Sequence, residues 1–127
     1  MISWIRRTLP VVVAGVILAP VALVHTHLTA SFPAKDAVLD GSPAKITLTF
    51  SARPELAISD IKVLAADSTP QAVGKVLRCA DDSMAITTPL KAPLADGAYQ
   101  VVWRTGSKDG HPIRGRYTFR VARRAAQ

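Results

Sequence analysis

Residues 113–121 read IRGRYTFRV, and their pattern is the clearest indication of the fold class of the chain. Apolar or small residues alternate with arginine or threonine along its whole length. Successive side chains of a β-strand point to opposite faces, so a period of two predicts a strand. One face of this final strand is predicted to pack on the core, and the other face carries Arg114, Arg116 and Arg120.

The same alternation occurs twice further upstream. Residues 45–51 read KITLTFS, with a large apolar side chain at every second position. Residues 99–103 read YQVVW and follow an Asp96-Gly97 pair that suits a tight reversal. We find no sustained helical periodicity after residue 25, and weaker strand candidates lie at 58–64, 72–77 and 83–88. The pattern predicts an all-β sandwich of about seven strands in two packed sheets.

The amino-terminal segment differs in composition from the rest of the chain. Arg6 and Arg7 precede an uncharged apolar run from Val11 to Val24 that only Pro20 interrupts, which is the layout of a secretory signal peptide. A retained membrane anchor is the alternative, but a span needs about 20 apolar residues and this run is shorter. We therefore predict a signal peptide over residues 1–24 and one domain over residues 25–127.

The charge of the chain narrows the classes of partner. Sixteen basic and nine acidic residues give a formal net charge of +7. Without residues 1–24, 14 basic residues stand against nine acidic ones, a formal charge of +5. A basic surface can bind nucleic acid or an anionic membrane, and export argues against nucleic acid. Cys79 is the only cysteine, so an intrachain disulfide is excluded and stability must come from the core.

The segment Ser107-Lys108-Asp109-Gly110-His111-Pro112 joins two of the predicted strands and carries a carboxylate and an imidazole two positions apart. Side chains at i and i+2 of an extended segment point the same way, and the following proline biases His111 toward extended backbone. A lone Asp-x-His pair in a loop is more often a turn with a capping aspartate. The pair therefore indicates a metal site only together with further ligands.

Cleavage ahead of His25 would supply such ligands, because the new terminus His25-Thr26-His27 carries a free amine and two imidazoles. Copper(II) favours tetragonal nitrogen and oxygen ligands and heads the divalent affinity order, whereas structural zinc usually has four closed ligands, often with cysteine. We therefore expect a copper(II) site rather than a zinc site. His27, as the third residue, could add a competing amine-and-amide site. Cleavage after Ala22 would instead give that third position to His25.

Four blocks of the sequence match a known family: HTHL at 25–28 followed by SFPA at 31–34, ITLTFS at 46–51, YQVVWR at 99–104 and SKDGHPIRG at 107–115. Through them the sequence resembles the CopC family of periplasmic copper-binding proteins from His25 to about Val121. The resemblance implies an immunoglobulin-like Greek-key β-sandwich in the periplasm that binds copper(II) through His25, Asp109 and His111. It further implies a copper carrier or buffer that works with a membrane protein of the CopD type, and no catalysis.

Some members of that family bind copper(I) through a methionine-rich loop. After residue 24 this chain has only Met84, near Cys79, so we expect that second site to be absent. Two rival classes of function stay open. One is a copper monooxygenase with an amino-terminal histidine brace, against which the short chain argues. The other is a metal-free module that binds a partner through its arginine face.

Overall fold

The computed structural model describes residues 10–17 and 25–124 of the 127-residue chain. Residues 10–17 have no regular secondary structure and are exposed, and the rest of the predicted signal peptide lies outside the described residues. Among the described residues, no helix is long and apolar enough to cross a membrane. The remaining residues form one 3₁₀ turn, Leu56–Ile58, and eight strands: β1 (Leu28–Phe32), β2 (Val38–Leu39), β3 (Lys45–Phe50), β4 (Asp60–Ala65), β5 (Leu77–Cys79), β6 (Asp82–Pro89), β7 (Gly97–Gly106) and β8 (Pro112–Val121).

The strands form two four-stranded sheets, with the orders β1-β3-β6-β5 and β2-β8-β7-β4. Neighbouring strands are antiparallel, except that the two-residue strand β2 pairs in parallel with β8. The longest pairing is the β7–β8 hairpin, which runs from Gly97 opposite Val121 to Gly106 opposite Pro112. The predicted all-β sandwich is confirmed, with eight strands where about seven were expected.

The core lies between the two sheets and is built from every second residue of the strands. In β3 the alternation predicted from the sequence is observed, since Ile46, Leu48 and Phe50 are each at most 2% exposed. Trp103 of β7 faces them and meets Phe50 edge to face, with ring centroids 5.1 Å apart. Burying each such side chain contributes about 1.5–3 kcal/mol, so this layer holds the sheets together. The other buried apolar residues are Ile61, Val63, Ala85, Ile86, Leu94, Tyr99, Val101, Tyr117, Phe119 and Val121.

Gly115 interrupts the apolar face of β8 for a steric reason. It lies directly opposite Trp103 in the hairpin register. A Cβ atom at position 115 would collide with the indole ring of Trp103. The small residue in the alternating pattern therefore makes room for the largest side chain of the core.

Two parts of the fold depart from the sequence prediction. The candidate strand at 72–77 is wrong, because the segment has one isolated bridge, Val73 with Leu90, and β5 begins only at Leu77. Strands β1 and β2 were not predicted, since β1 lies at a sheet edge with no buried side chain and β2 has two residues. Among the described residues, all strands and core side chains lie between Leu28 and Val121.

Candidate metal centre

The loop of the β7–β8 hairpin, residues 107–111, carries the predicted Asp109 and His111. A hydrogen bond from the Gly110 N–H to the Ser107 carbonyl oxygen, 2.9 Å long, closes its turn. Gly110 has a φ of +80°, which lies in the left-handed region that glycine adopts without strain. The turn leaves the side chains of Asp109 and His111 exposed at the end of the sandwich.

Hydrogen bonds hold the Asp109 carboxylate in place. Its Oδ1 accepts one from the Ser107 hydroxyl at 2.7 Å and one from the His111 backbone N–H at 3.2 Å. Within the described residues, its Oδ2 accepts none. The Ser107 hydroxyl first, and then the His111 N–H, hold the pKa of Asp109 below its ordinary value. The carboxylate is thus ionised and oriented, with one oxygen available to a ligand.

Gly106 sets how closely the backbone packs at the base of this loop. A Cβ atom there would lie 2.8 Å from the His111 carbonyl oxygen and 2.7 Å from Cδ1 of Ile58. The Gly106 carbonyl oxygen also accepts a hydrogen bond of 2.9 Å from the Glu55 N–H. Gly106 therefore fixes the position of His111 against the β3–β4 connection. Gly106 was not among the predicted site residues, although a glycine immediately before a ligand-bearing loop is a signal of such packing.

The chain from His25 to His27 runs into edge strand β1 and reaches the same end of the sandwich. The His27 N–H donates to the Ser51 hydroxyl at 3.0 Å, and the Ser51 N–H donates to the His27 carbonyl oxygen at 2.9 Å. These bonds fix the segment beside the end of β3. The Nδ1 atom of His27 lies 3.2 Å from the His25 carbonyl oxygen.

An open cavity of about 380 Å³ brings the two segments together. The chain end contributes His25 and Thr26 to its lining, and the hairpin contributes Ser107, Asp109, His111, Pro112 and Ile113. The three residues proposed as copper ligands from the sequence therefore line one cavity, whereas His27 does not. Among the described residues, no three histidine, cysteine, aspartate or glutamate side chains are already grouped closely enough to hold a metal ion.

The two sulfur-containing side chains that could bind copper(I), Cys79 and Met84, lie away from this cavity. Cys79 ends strand β5, half-buried and opposite Asp82. Burial first, and then the nearby charge of Asp81, raise the pKa of its thiol, which disfavours the thiolate that binds metals. Met84 is 39% exposed on β6. Neither residue lines the cavity, so its donor set consists of nitrogen and oxygen atoms.

Comparisons with known proteins point to one family. The CopC domain model matches residues 28–122. Copper resistance protein C of Escherichia coli is 35% identical over 107 residues, covering 79% of this chain and 83% of the relative. Copper resistance protein C of Pseudomonas syringae pv. tomato is 33% identical over 113 residues, with 85% and 89% covered. Protein YobA of Escherichia coli K12 is 33% identical over 105 residues, with 83% and 85% covered.

Solved structures give the same picture. CopC from Methylosinus trichosporium OB3b superimposes with a TM-score of 0.73 at 28% identity, covering 81% of this chain and 99% of that structure. PcoC, described as a methionine-rich copper resistance protein from Escherichia coli, superimposes with a TM-score of 0.70 at 35% identity, covering 78% and 100%. This chain, by contrast, has only two methionines.

Proposed function

Because the chain belongs to the CopC family, whose relatives include copper resistance proteins, we propose that it binds copper(II) between its chain end and its β7–β8 loop. His25, Asp109 and His111 provide the ligands in this proposal. The observation that carries it is the single cavity lined by all three. Residues far apart in the sequence meet there, as a shared metal site requires.

The chemistry of the donors favours copper(II). Two imidazoles and one carboxylate match the nitrogen and oxygen ligands that this ion takes, and the cavity lining offers no sulfur for copper(I). Processing ahead of His25 would add the α-amine as a further nitrogen. The His27 ring lies against the His25 carbonyl oxygen, which favours a role in holding the chain end.

An exposed site suits a carrier or buffer better than a resident cofactor. His25, Asp109 and His111 are all exposed, and their side chains must turn toward one another to hold an ion. Such a site can release its ion without unfolding the protein. We therefore propose that the chain is exported to the periplasm and holds copper there for an inner-membrane protein of the CopD type. This role needs no catalysis by the chain.

Copper(II) titration of the exported protein tests the site, with intact mass measurements to establish its terminus and stoichiometry. We expect one copper(II) ion per chain. His111→Ala and Asp109→Ala each remove a proposed ligand and should weaken binding about 100-fold or more, since loss of an outer partner alone costs 10- to 100-fold. Asp67→Ala is the matched control, because Asp67 is also exposed and accepts a hydrogen bond from a backbone N–H, that of Thr69, but lies outside the cavity.

Two outcomes would contradict the proposal. Wild-type copper uptake by both His111→Ala and Asp109→Ala would favour the metal-free interaction module instead. Oxidised products from a polysaccharide incubated with the copper-loaded protein and a reductant would favour the histidine-brace monooxygenase. We expect no turnover in that assay.

A further inference from the structure

The outer face of the β8-β7-β4 sheet carries a cluster of cations that copper binding does not use. Asp60, Arg104 and Arg114 lie side by side in the register, and Lys62 and Arg116 share a second row two positions further along the strands. These five side chains line a shallow cavity of about 600 Å³. We call Lys62, Arg104, Arg114 and Arg116 the basic face.

The charges of the basic face are not balanced within the protein. Lys62 lies 3.9 Å from Asp60, and the structure as described shows no ion pair for the three arginines. Arg104 is directly opposite Arg114 on the neighbouring strand. Like charges in directly opposed positions destabilise a sheet. The fold thus keeps a repulsive pair that an external anion would relieve.

The opposite outer face of the sandwich is different in character. The outward side chains of β3 and β6 include one cation, Lys45, and three threonines, Thr47, Thr49 and Thr87. The Thr47 and Thr87 hydroxyls hydrogen-bond at 3.3 Å. The two broad faces therefore differ in charge, with cations concentrated on one of them. A molecule of this kind orients itself toward a planar anionic surface.

We propose that the basic face docks the protein on an anionic phospholipid membrane. Guanidinium groups bind phosphate oxygens in pairs, and lysine adds a point charge. A protein partner is less well supported, because the centres of protein interfaces are rich in apolar and aromatic side chains. The apolar side chains that line the same cavity are the half-exposed Val102 and the buried Trp103, and among the described residues no exposed large apolar side chain lies beside them in that lining.

The basic face lies close to the loop that carries the proposed copper ligands, so docking would bring that loop near the membrane. Arg104 and Arg114 lie two residues along each strand from Gly106 and Pro112, where the hairpin loop begins. At about 3.3 Å per residue, this separation is roughly 7 Å. Docking would hold the end of the sandwich that carries His25 and His111 close to the bilayer. The inference does not depend on copper, so metal-free and copper-loaded protein should dock alike.

Co-sedimentation with lipid vesicles tests the proposal, using the chain from His25 onward, which contains every strand of the described residues. We expect binding to vesicles of phosphatidylglycerol mixed with phosphatidylcholine, none to phosphatidylcholine alone, and release by added salt. Arg114→Gln with Arg116→Gln should weaken binding roughly 30-fold, the effect of two surface cations. Lys75→Gln with Lys91→Gln removes the same charge from exposed positions off the basic face and should retain most of the binding.

Three results would overturn the proposal. Equal losses from both double variants would mean that net charge alone drives binding. Binding of a polyglutamate peptide, but not of vesicles, would assign the face to an acidic protein. Saturation by inorganic phosphate without vesicle binding would assign it to a free anion. Circular dichroism checks the folding of each variant, and Lys62→Gln with Arg116→Gln provides a second pair if the first does not fold.

Discussion

The layer between the two sheets and the cavity at the end of the sandwich use side chains in opposite ways. Phe50 and Trp103 are at most 8% exposed and pack on each other, whereas His25, Asp109 and His111 are all exposed. Stability therefore depends on one set of residues and the proposed copper chemistry on another. Strand β7 connects the two, since it contributes Trp103 to the core and ends at the loop that carries His111.

Trp103→Ala should have the largest effect on stability. Truncating a buried tryptophan removes its contacts and leaves a cavity, which costs about 3–5 kcal/mol. Urea unfolding measures the loss, and copper titration of the molecules that remain folded should give the wild-type affinity. Val102→Ala is the control, because Val102 lies on the outer face of the same strand and is half-exposed. Equal losses from both variants would show that the strand as a whole, rather than the buried indole, determines stability.

Gly106→Ala should affect both regions. The added methyl group meets a backbone oxygen of His111 as well as the Ile58 side chain, so relief requires movement of the loop. Overpacking of this kind costs about 1–3 kcal/mol, and the displaced His111 should also bind copper(II) more weakly. Gly41→Ala is the control, since a Cβ atom there has no neighbour within 4 Å. A variant with reduced stability and unchanged copper affinity would break the proposed link between hairpin base and cavity.

The sequence predicts the core far better than it predicts the cavity. The alternation in β3, β7 and β8 is local, and the buried residues follow directly from it. Edge strand β1 gives no such signal, yet it brings His25 to the Asp109 loop. That meeting depends on the sheet order, which periodicity could not supply. The resemblance to a known family implied only that His25, Asp109 and His111 bind one ion. The ligand roles of these residues stay predictions.

The basic face, too, could be predicted only in part, because local periodicity does not show which strands are neighbours. Arg114, Arg116 and Arg120 are visible as a stripe in one strand. Only the register adds Arg104 beside Arg114 and thereby reveals the unbalanced pair. The hydrogen bond between Ser107 and Asp109, by contrast, joins positions i and i+2, and a search for serine near a candidate carboxylate would have found it.

Ser107→Ala should weaken copper(II) binding at the cavity and leave the stability of the core unchanged. It removes the hydroxyl that orients the Asp109 carboxylate, and loss of such an outer partner costs about 10-fold in metal affinity. Copper titration measures this effect, and urea unfolding should give a wild-type free energy. Ser107→Thr keeps a hydroxyl and should recover most of the affinity. Failure of the threonine variant to do better than alanine would exclude the hydrogen bond as the cause.

Tyr117→Phe removes a buried hydroxyl from the core and should have the smallest effect at neutral pH. The Tyr117 hydroxyl is buried near Ser31 but makes no hydrogen bond of good geometry within the described residues. Removing an unsatisfied buried hydroxyl should be neutral or stabilise the fold by up to about 1 kcal/mol. Tyr99→Phe is the matched control, because the equally buried Tyr99 donates a hydrogen bond of 2.7 Å to the Ala95 carbonyl oxygen and should lose about 1 kcal/mol.

Unfolding at alkaline pH provides a second test of the buried Tyr117 hydroxyl. Burial raises the pKa of Tyr117 from 10.0 to about 12, and the neighbouring Ser31 opposes the shift. Since the unfolded chain releases this proton first, the free energy of unfolding is unaffected by this group below pH 10 and falls as the pH rises toward about 12. Phenylalanine has no proton to lose, so the Tyr117→Phe protein should lose less stability over this interval than the wild type. Parallel pH profiles for the two proteins would mean that the Tyr117 hydroxyl is solvated.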